Sequence, residues 1–208
     1  MRLGILGPAQ GDLPALARGA QYLLDEARVE RVVYLAADDA LDRVVASWAH
    51  EIVGDTSPGA AGDGLLARAA ARCVAADPAA IDDFVELERA RLRLQVMSSL
   101  PSNRRSIEIL DGRVVLFVWD KSTLDEDDIA AASILCFGKS NEALMKKVGT
   151  RTFVAPGPVG GKDGGCAVLD DGDGGVRITI VTSAGQVMAR GSVGAPITGA
   201  KMRVQGGG

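Results

Sequence analysis

The chain has 208 residues, of which 47% are hydrophobic and 24% charged, with a formal net charge of -4 and one histidine. This length and composition predict a globular protein of one or two domains, not a disordered or fibrous one. The acidic balance argues against a protein that binds nucleic acid by neutralising phosphates. A single histidine excludes any site that needs a cluster of imidazoles.

The amino terminus and the cysteines indicate the compartment. Residues 1–8 hold an apolar run too short for a signal peptide, and no stretch approaches the ~18 apolar residues that span a bilayer. Cys73, Cys136 and Cys166 have no CxxC spacing and lie in apolar surroundings. They predict three buried thiols and neither a disulfide framework nor a zinc site. We expect a cytoplasmic protein that does not insert into a membrane.

The first half of the chain predicts alternating strands and helices. Short apolar runs predict strands, and apolar residues at helical spacing between them predict helices, which is the order of a right-handed βαβ unit. The charged side of the last helix, which includes Glu88 and Arg91, predicts a solvated face. Residues 55–63 predict a loop. The predicted strands are residues 2–6, 31–35 and 51–53, and the predicted helices are residues 13–28, 41–48, 65–75 and 81–98.

The second half predicts antiparallel hairpins. Asp111-Gly112 suits the positive φ angles of a two-residue turn between two apolar runs. We therefore expect an α/β sandwich of mixed sheets with helices outside, in one domain over residues 1–190, followed by a glycine-rich tail over residues 191–208. The predicted strands are residues 106–110, 113–119, 133–137, 152–154, 166–169, 176–182 and 186–190.

Four features that suggest a site have simpler interpretations. The acidic run 125–128 precedes an apolar helix and predicts a capping box. Residues 170–175 lack the bidentate glutamate of a calcium loop and predict a turn. Residues 156–163 lack the first glycine and the Ser or Thr of a phosphate-binding loop. His50 has no activated Ser or Cys near it in the sequence, so we predict no nucleophile–base pair and no catalytic residue.

Six segments, in order along the chain, resemble the motifs of the calcineurin-like metallophosphoesterase family, especially its small bacterial members. The resemblance covers roughly residues 1–185 and implies a four-layer αββα sandwich of two mixed β-sheets, with a binuclear metal site at the strand ends. The usage of Ala, Gly, Arg and Asp also suggests a bacterial source. The segments are residues 3–16, 32–38, 52–57, 114–120, 134–141 and 153–158.

The positions of the family's metal ligands hold other residues here. Proline, alanine and tryptophan supply no ligand atom, so the resemblance implies the fold without its two-metal site, and we expect no metal and no cofactor. A shift of one residue would place Asp38 at the position of the bridging aspartate. The family's ligand positions fall on Pro8, Gln10, Ala37, Asp55, Trp119, Lys139 and Asn141.

These departures imply a catalytically inactive protein that acts as a protein-interaction or regulatory module, as the retromer subunit of this family does. Its partner is then a protein, with no role for nucleic acid. We also hypothesise that the Lys139 ammonium partly replaces the ions, in a buried contact with Asp55 or Asp38.

Two alternatives remain open. A metal-free sensor of phosphate or nucleotide would use Lys139, Asn141 and Gln10, with help from Lys121 and Lys162. A residual phosphodiesterase would instead hold one metal through two aspartates, Asp38 and Asp55.

Overall fold

A computed structural model of the chain describes residues 1–54, 63–74, 77–100, 105–172 and 174–194. Its strands are β1 (Arg2–Leu6), β2 (Arg31–Tyr34), β3 (Met97–Ser99), β4 (Ser106–Leu110), β5 (Arg113–Val118), β6 (Ile134–Phe137), β7 (Leu144–Val148), β8 (Arg151–Ala155), β9 (Gly165–Gly172), β10 (Gly175–Thr182) and β11 (Val187–Gly194). Its helices are α1 (Leu13–Gln21), α2 (Ala40–Val53), α3 (Asp63–Val74), α4 (Pro78–Arg93) and α5 (Glu126–Ala131).

The strands form two mixed sheets, stacked face to face. The first has six strands in the order β11-β10-β9-β1-β2-β3, and the second has five in the order β4-β5-β6-β8-β7. In the first sheet β1, β2 and β3 are parallel, and in the second β5, β6 and β8 are parallel. Helices lie on both outer sides, so the predicted αββα sandwich is confirmed.

Apolar side chains alternate along the strands and so build a core on each side of each sheet. The central core lies between the sheets, where Leu3 and Ile5 of β1 and Phe117 of β5 are fully buried. The outer face of the six-stranded sheet packs against α1 and α2 through residues such as Leu16 and Leu41. A smaller core joins α5 to the five-stranded sheet. None of the helices in the described part of the chain has the length and hydropathy that crossing a membrane requires.

Several local predictions are confirmed. Asp111 and Gly112 have φ angles of 47° and 67° in the turn between β4 and β5. Asp125 and Asp128 form the expected capping box at the start of α5. Residues 170–175 lie in the hairpin of β9 and β10, apart from Asp173, which is outside the described residues. A strand, not a helix, follows the glycine-rich residues 156–163.

Other boundaries were wrong. Residues 51–53 are not a strand but the last turn of α2, because the apolar spacing of Val45, Ala49 and Ile52 continues the helix until Gly54 ends it at φ 74°. Helix α4 starts at Pro78, which is favourable at a first turn, behind the cap Asp77. It ends at Arg93, so residues 97–98 belong to β3 and not to the predicted helix. Strand β11 continues to Gly194 and not only to residue 190, and the short strand β7 was not predicted.

Two burial predictions also fail. Glu88 and Arg91 are buried, 7% and 0% exposed, and not part of a solvated face. Glu88 accepts a hydrogen bond from Arg68 of α3 at 2.9 Å and another from Arg91 of its own helix at 2.7 Å. Cys136 and Cys166 are buried as predicted, but Cys73 is exposed, because α3 packs on the rest of the molecule along only part of its surface.

Candidate functional site

The carboxyl ends of the parallel strands of both sheets lie at one end of the sandwich, where the connecting loops contact each other. The loop after β1 contacts the loop after β8: Val159 N donates to Pro8 O at 3.1 Å. A Cβ on Gly7 would lie 1.8 Å from the carbonyl oxygen of Gly157. Only glycine fits there, so the two backbones are in direct contact at this end.

A second direct contact joins β2 to β6. A Cβ added to Gly138, at the end of β6, would lie 1.7 Å from the carbonyl oxygen of Leu35, at the end of β2. Beside it, Lys139 N donates to Trp119 O at 2.8 Å, which fixes the loop after β6 against the loop after β5. The backbone therefore brings the residues after β2, β5 and β6 to one place.

An ion pair occupies this place. The Nζ of Lys139 lies 2.5 Å from Oδ2 of Asp120, and Oδ1 of Asp120 accepts from the N and Oγ of Ser122 at 2.9 and 2.8 Å. The hydrogen bond from Lys139, followed by those from Ser122, lowers the pKa of Asp120 to about 2. Lys139 remains 61% exposed in this pair. The site therefore presents a cation whose charge is already balanced.

Our hypothesis for Lys139 was wrong about its surroundings. The contact is exposed and not buried, and the partner is not Asp38. Asp55 lies outside the residues that the structure describes. Asp120 was not predicted, although the sequence holds the necessary information: Asp120 follows β5 and Lys139 follows β6, and neighbouring parallel strands end side by side.

Asp38 accepts hydrogen bonds that stabilise the loops around it. The buried hydroxyl of Tyr34 donates to Oδ1 of Asp38 at 2.8 Å and accepts from Ala9 N at 3.0 Å, while Ala40 N also donates to Oδ1 of Asp38 at 3.1 Å. Burial raises the pKa of Tyr34 far above its ordinary range, and the hydrogen bond to Asp38 adds to this effect. The carboxylate of Asp38 thus holds the start of α2 and the loop after β1.

The other predicted site residues differ in their exposure and in their contacts. Pro8 is buried, whereas Gln10 and Ala37 are exposed. The Lys121 ammonium lies 4.6 Å from the centre of the Phe137 ring. Asn141 and Lys162 line one small cavity of about 60 Å³, together with the acidic Glu142 and Asp163.

The residues at the positions that the resemblance assigns to metal ligands do not fit a two-metal centre. Pro8, Ala37 and Trp119 supply neither carboxylate nor imidazole, and Lys139 adds a positive charge. In the described ranges of the chain, nowhere do three side chains from among His, Cys, Asp and Glu form a group able to hold a metal ion. We therefore derive no reaction step through metal ions.

Comparison with known proteins identifies the fold. No family model matches the sequence, and no curated protein matches it. A crystal structure of a predicted phosphoesterase from Streptococcus pneumoniae TIGR4 is similar, with a TM-score of 0.52 and 11% identity over 92% of this chain and 97% of that one. YfcE, a phosphoesterase from E. coli, gives a TM-score of 0.51 and 13% identity over 93% of this chain and 100% of that one.

A third solved structure, an archaeal phosphodiesterase, gives a TM-score of 0.50 and 14% identity over 87% of this chain and 100% of that one. At such identities the likeness shows the fold alone. The chain has the fold of the calcineurin-like phosphoesterases, as its sequence implied.

Proposed function

We propose that this chain is a catalytically inactive protein of phosphoesterase fold that works by binding, and that its partner is a protein. One observation carries the proposal: Lys139, at a position that the resemblance assigned to a metal ligand, forms an ion pair 2.5 Å long with Asp120 where β5 and β6 end. The ammonium group supplies no lone pair to a metal ion, and the carboxylate of Asp120 is already engaged by Lys139 and Ser122.

The same ion pair favours a protein partner over an anionic metabolite. A sensor of phosphate needs cations free to bind it, but Lys139 is bound to Asp120, and Lys121 lies over Phe137. The cavity beside Asn141 and Lys162 is small and is also lined by two acidic residues. Gln10 is exposed and carries no charge. An anion would therefore meet little net positive charge.

A residual phosphodiesterase is the weaker alternative. It would hold one metal through Asp38 and Asp55, but the Oδ1 of Asp38 already accepts two hydrogen bonds, from Tyr34 and Ala40.

The three free cysteines are consistent with our expectation of a cytoplasmic protein.

Hydrolysis of an aryl phosphodiester with added manganese tests the proposal. We expect no turnover above the buffer blank, and the same result for Asp38→Ala. Manganese-dependent turnover that is lost in Asp38→Ala or Asp55→Ala would contradict the proposal and establish the residual enzyme. A rise in melting temperature with inorganic phosphate or nucleotide, without turnover, would instead establish the sensor, because a ligand of the native state stabilises it.

A further inference from the structure

The edges of the two sheets are not equally protected. An edge strand exposes backbone N–H and C=O groups, and proteins protect such edges with lysines, with breaks, or by keeping them short. Among the described strands at edges, β3 has only three residues, and β7 carries Lys146 and Lys147. Strand β11 carries Arg190 and glycines. Strand β4 has five residues without lysine or glycine, and its one charged side chain, Glu108, points inward toward Arg31 of the other sheet.

The outer face of β4 is apolar. Ile107 and Ile109 are 56% and 66% exposed, whereas Leu110 between the sheets is fully buried. On β5, Val114 lies beside Ile109 in the sheet and is half-buried. We name Ile107, Ile109 and Val114 the β4 patch. The charged residue of β4, Glu108, binds Arg31 of the other sheet and so adds little net charge at this edge.

The backbone of β4 is suited to take up another strand. Leu110 and Arg113 flank the two-residue turn and form the first pair with β5. In an antiparallel ladder closed in this way, every second residue bonds to the partner strand, and the residues between turn their N–H and C=O groups to the other side. Ile107 and Ile109 are those intervening residues. Ile107 and Ile109 therefore direct their backbone N–H and C=O groups away from β5, on the same strand that exposes their apolar side chains.

Acidic residues border the β4 patch. Arg105, just before β4, binds Asp128, which brings the start of α5 to this end of the strand. There Glu126 and Asp127 are exposed, and Asp111 is exposed in the turn at the other end. A partner that carries basic residues complements this surface. A second copy of the chain would bring the same carboxylates face to face, which is unfavourable.

We infer that β4 binds an extended peptide segment of a protein partner, in which branched apolar residues alternate with lysine or arginine. The segment adds a strand to the five-stranded sheet through the backbone groups of Ile107 and Ile109, and its apolar side chains lie on the β4 patch. This inference rests on the proposed function, since it names the surface and the partner chemistry of a binding protein.

The test uses the full chain and a short blocked peptide in which valine alternates with lysine, labelled for fluorescence anisotropy. We expect saturable binding, with slower hydrogen exchange at the amides of Ile107 and Ile109. The double variant Ile107→Lys with Ile109→Lys should weaken binding about tenfold or more, because it introduces both charge repulsion and the usual protection of an edge. The matched control is Val148→Lys on β7, the opposite edge of the same sheet, which should bind as the wild type does.

Four results would overturn the inference. They are the absence of peptide binding, equal loss in the Val148→Lys control, equally tight binding of a peptide that alternates valine with glutamate, and a dimer in sedimentation that the double variant dissociates. If the double variant fails to fold, hydrogen exchange in the wild type still decides. Phosphodiester hydrolysis tests catalytic inactivity separately from peptide binding. A chain that neither hydrolyses the phosphodiester nor binds the peptide would therefore contradict the β4 inference and leave the proposed inactivity standing.

Discussion

Glu88 lies between two arginines, Arg68 of α3 and Arg91 of its own helix, at 2.9 and 2.7 Å. Burial alone would raise the pKa of this carboxyl group, but the hydrogen bonds from the two arginines outweigh burial and lower the pKa. Glu88 therefore joins α3 to α4, whereas other charged residues of α4, such as Glu86 and Arg89, are exposed.

Replacing Glu88 with glutamine removes the negative charge that both arginines contact. We expect the free energy of unfolding to fall by about 3 kcal/mol, as for other buried ion pairs that lose one member. Denaturation in urea measures it. The matched control is Glu86→Gln, on the same helix, which breaks the exposed pair with Arg89 and should cost less than about 1 kcal/mol. Equal losses would contradict the buried network.

The same substitution changes the dependence of stability on pH. The pKa of Glu88 is lowered in the folded state, so its contribution is complete above the ordinary value of 4.5 and is lost as the pH falls through the folded value. The stability difference between the wild type and Glu88→Gln should therefore shrink as the solution is acidified below that range. A difference that stays constant down to the acid transition would contradict the lowered pKa.

The pKa of Asp120 reports on its ion pair with Lys139 at the strand ends. Because Lys139 is the largest cause of its lowered pKa, Lys139→Met should raise the pKa of Asp120 from about 2 toward 3.8. Carboxyl titration by NMR measures this change. The control Ser122→Ala removes only the hydroxyl donor and keeps both the ammonium and the backbone N–H of residue 122, so it should raise the pKa less. Since the pair is exposed, neither variant should lose much stability at neutral pH.

At the scale of elements, Tyr34 joins three of them. Its hydroxyl connects β2 to the loop after β1 and to Asp38 before α2. Tyr34→Phe leaves the buried amide of Ala9 without this acceptor and should cost about 1–3 kcal/mol in the free energy of unfolding. Tyr22→Phe, at a half-buried position, is the control and should be nearly neutral. A neutral Tyr34→Phe would show that the bridge contributes little.

The sequence predicted the type of an element correctly where apolar residues kept a helical spacing over several turns, as in α1. It also did so where two residues favour one kind of turn, as Asp111 and Gly112 do. Boundaries failed where several residues fit two structures. Residues 51–53 are apolar enough for a strand, but they continue the buried face of α2. Strand β7 was missed because Lys146 and Lys147 mask its alternation, and its place is set by pairing with β8. The pairing of strands depends on tertiary contacts, which local sequence patterns do not specify.

At the scale of the whole molecule, the two sheets are joined by close backbone contacts. Gly138→Ala would force a Cβ against the carbonyl oxygen of Leu35 and push the ends of β2 and β6 apart, so we expect a loss of about 1–3 kcal/mol or more. The matched control is Gly194→Ala, where an added Cβ meets nothing within 4 Å. Thermal unfolding of the two variants measures the difference. Similar melting temperatures would contradict the close contact.

For the candidate site, the sequence suggested a region and not the contacts within it. The family resemblance alone assigned Lys139, Asn141 and Gln10 to that region, and their grouping as a site stays a prediction. The partner of Lys139 was not predictable without the order of strands, which makes β5 and β6 neighbours. The role of Asp38 was also hidden, because its hydrogen bond comes from Tyr34, a buried residue on a strand.

We propose that this chain works without the metal ions of the phosphoesterase fold, and the metal content of the purified protein tests this most directly. After incubation with excess manganese and zinc, followed by dialysis, elemental analysis gives the metal bound per chain. We predict less than about a tenth of an equivalent of either metal, because Lys139, Pro8, Ala37 and Trp119 supply no side-chain lone pair that binds these metals. Near-stoichiometric metal would contradict the claim.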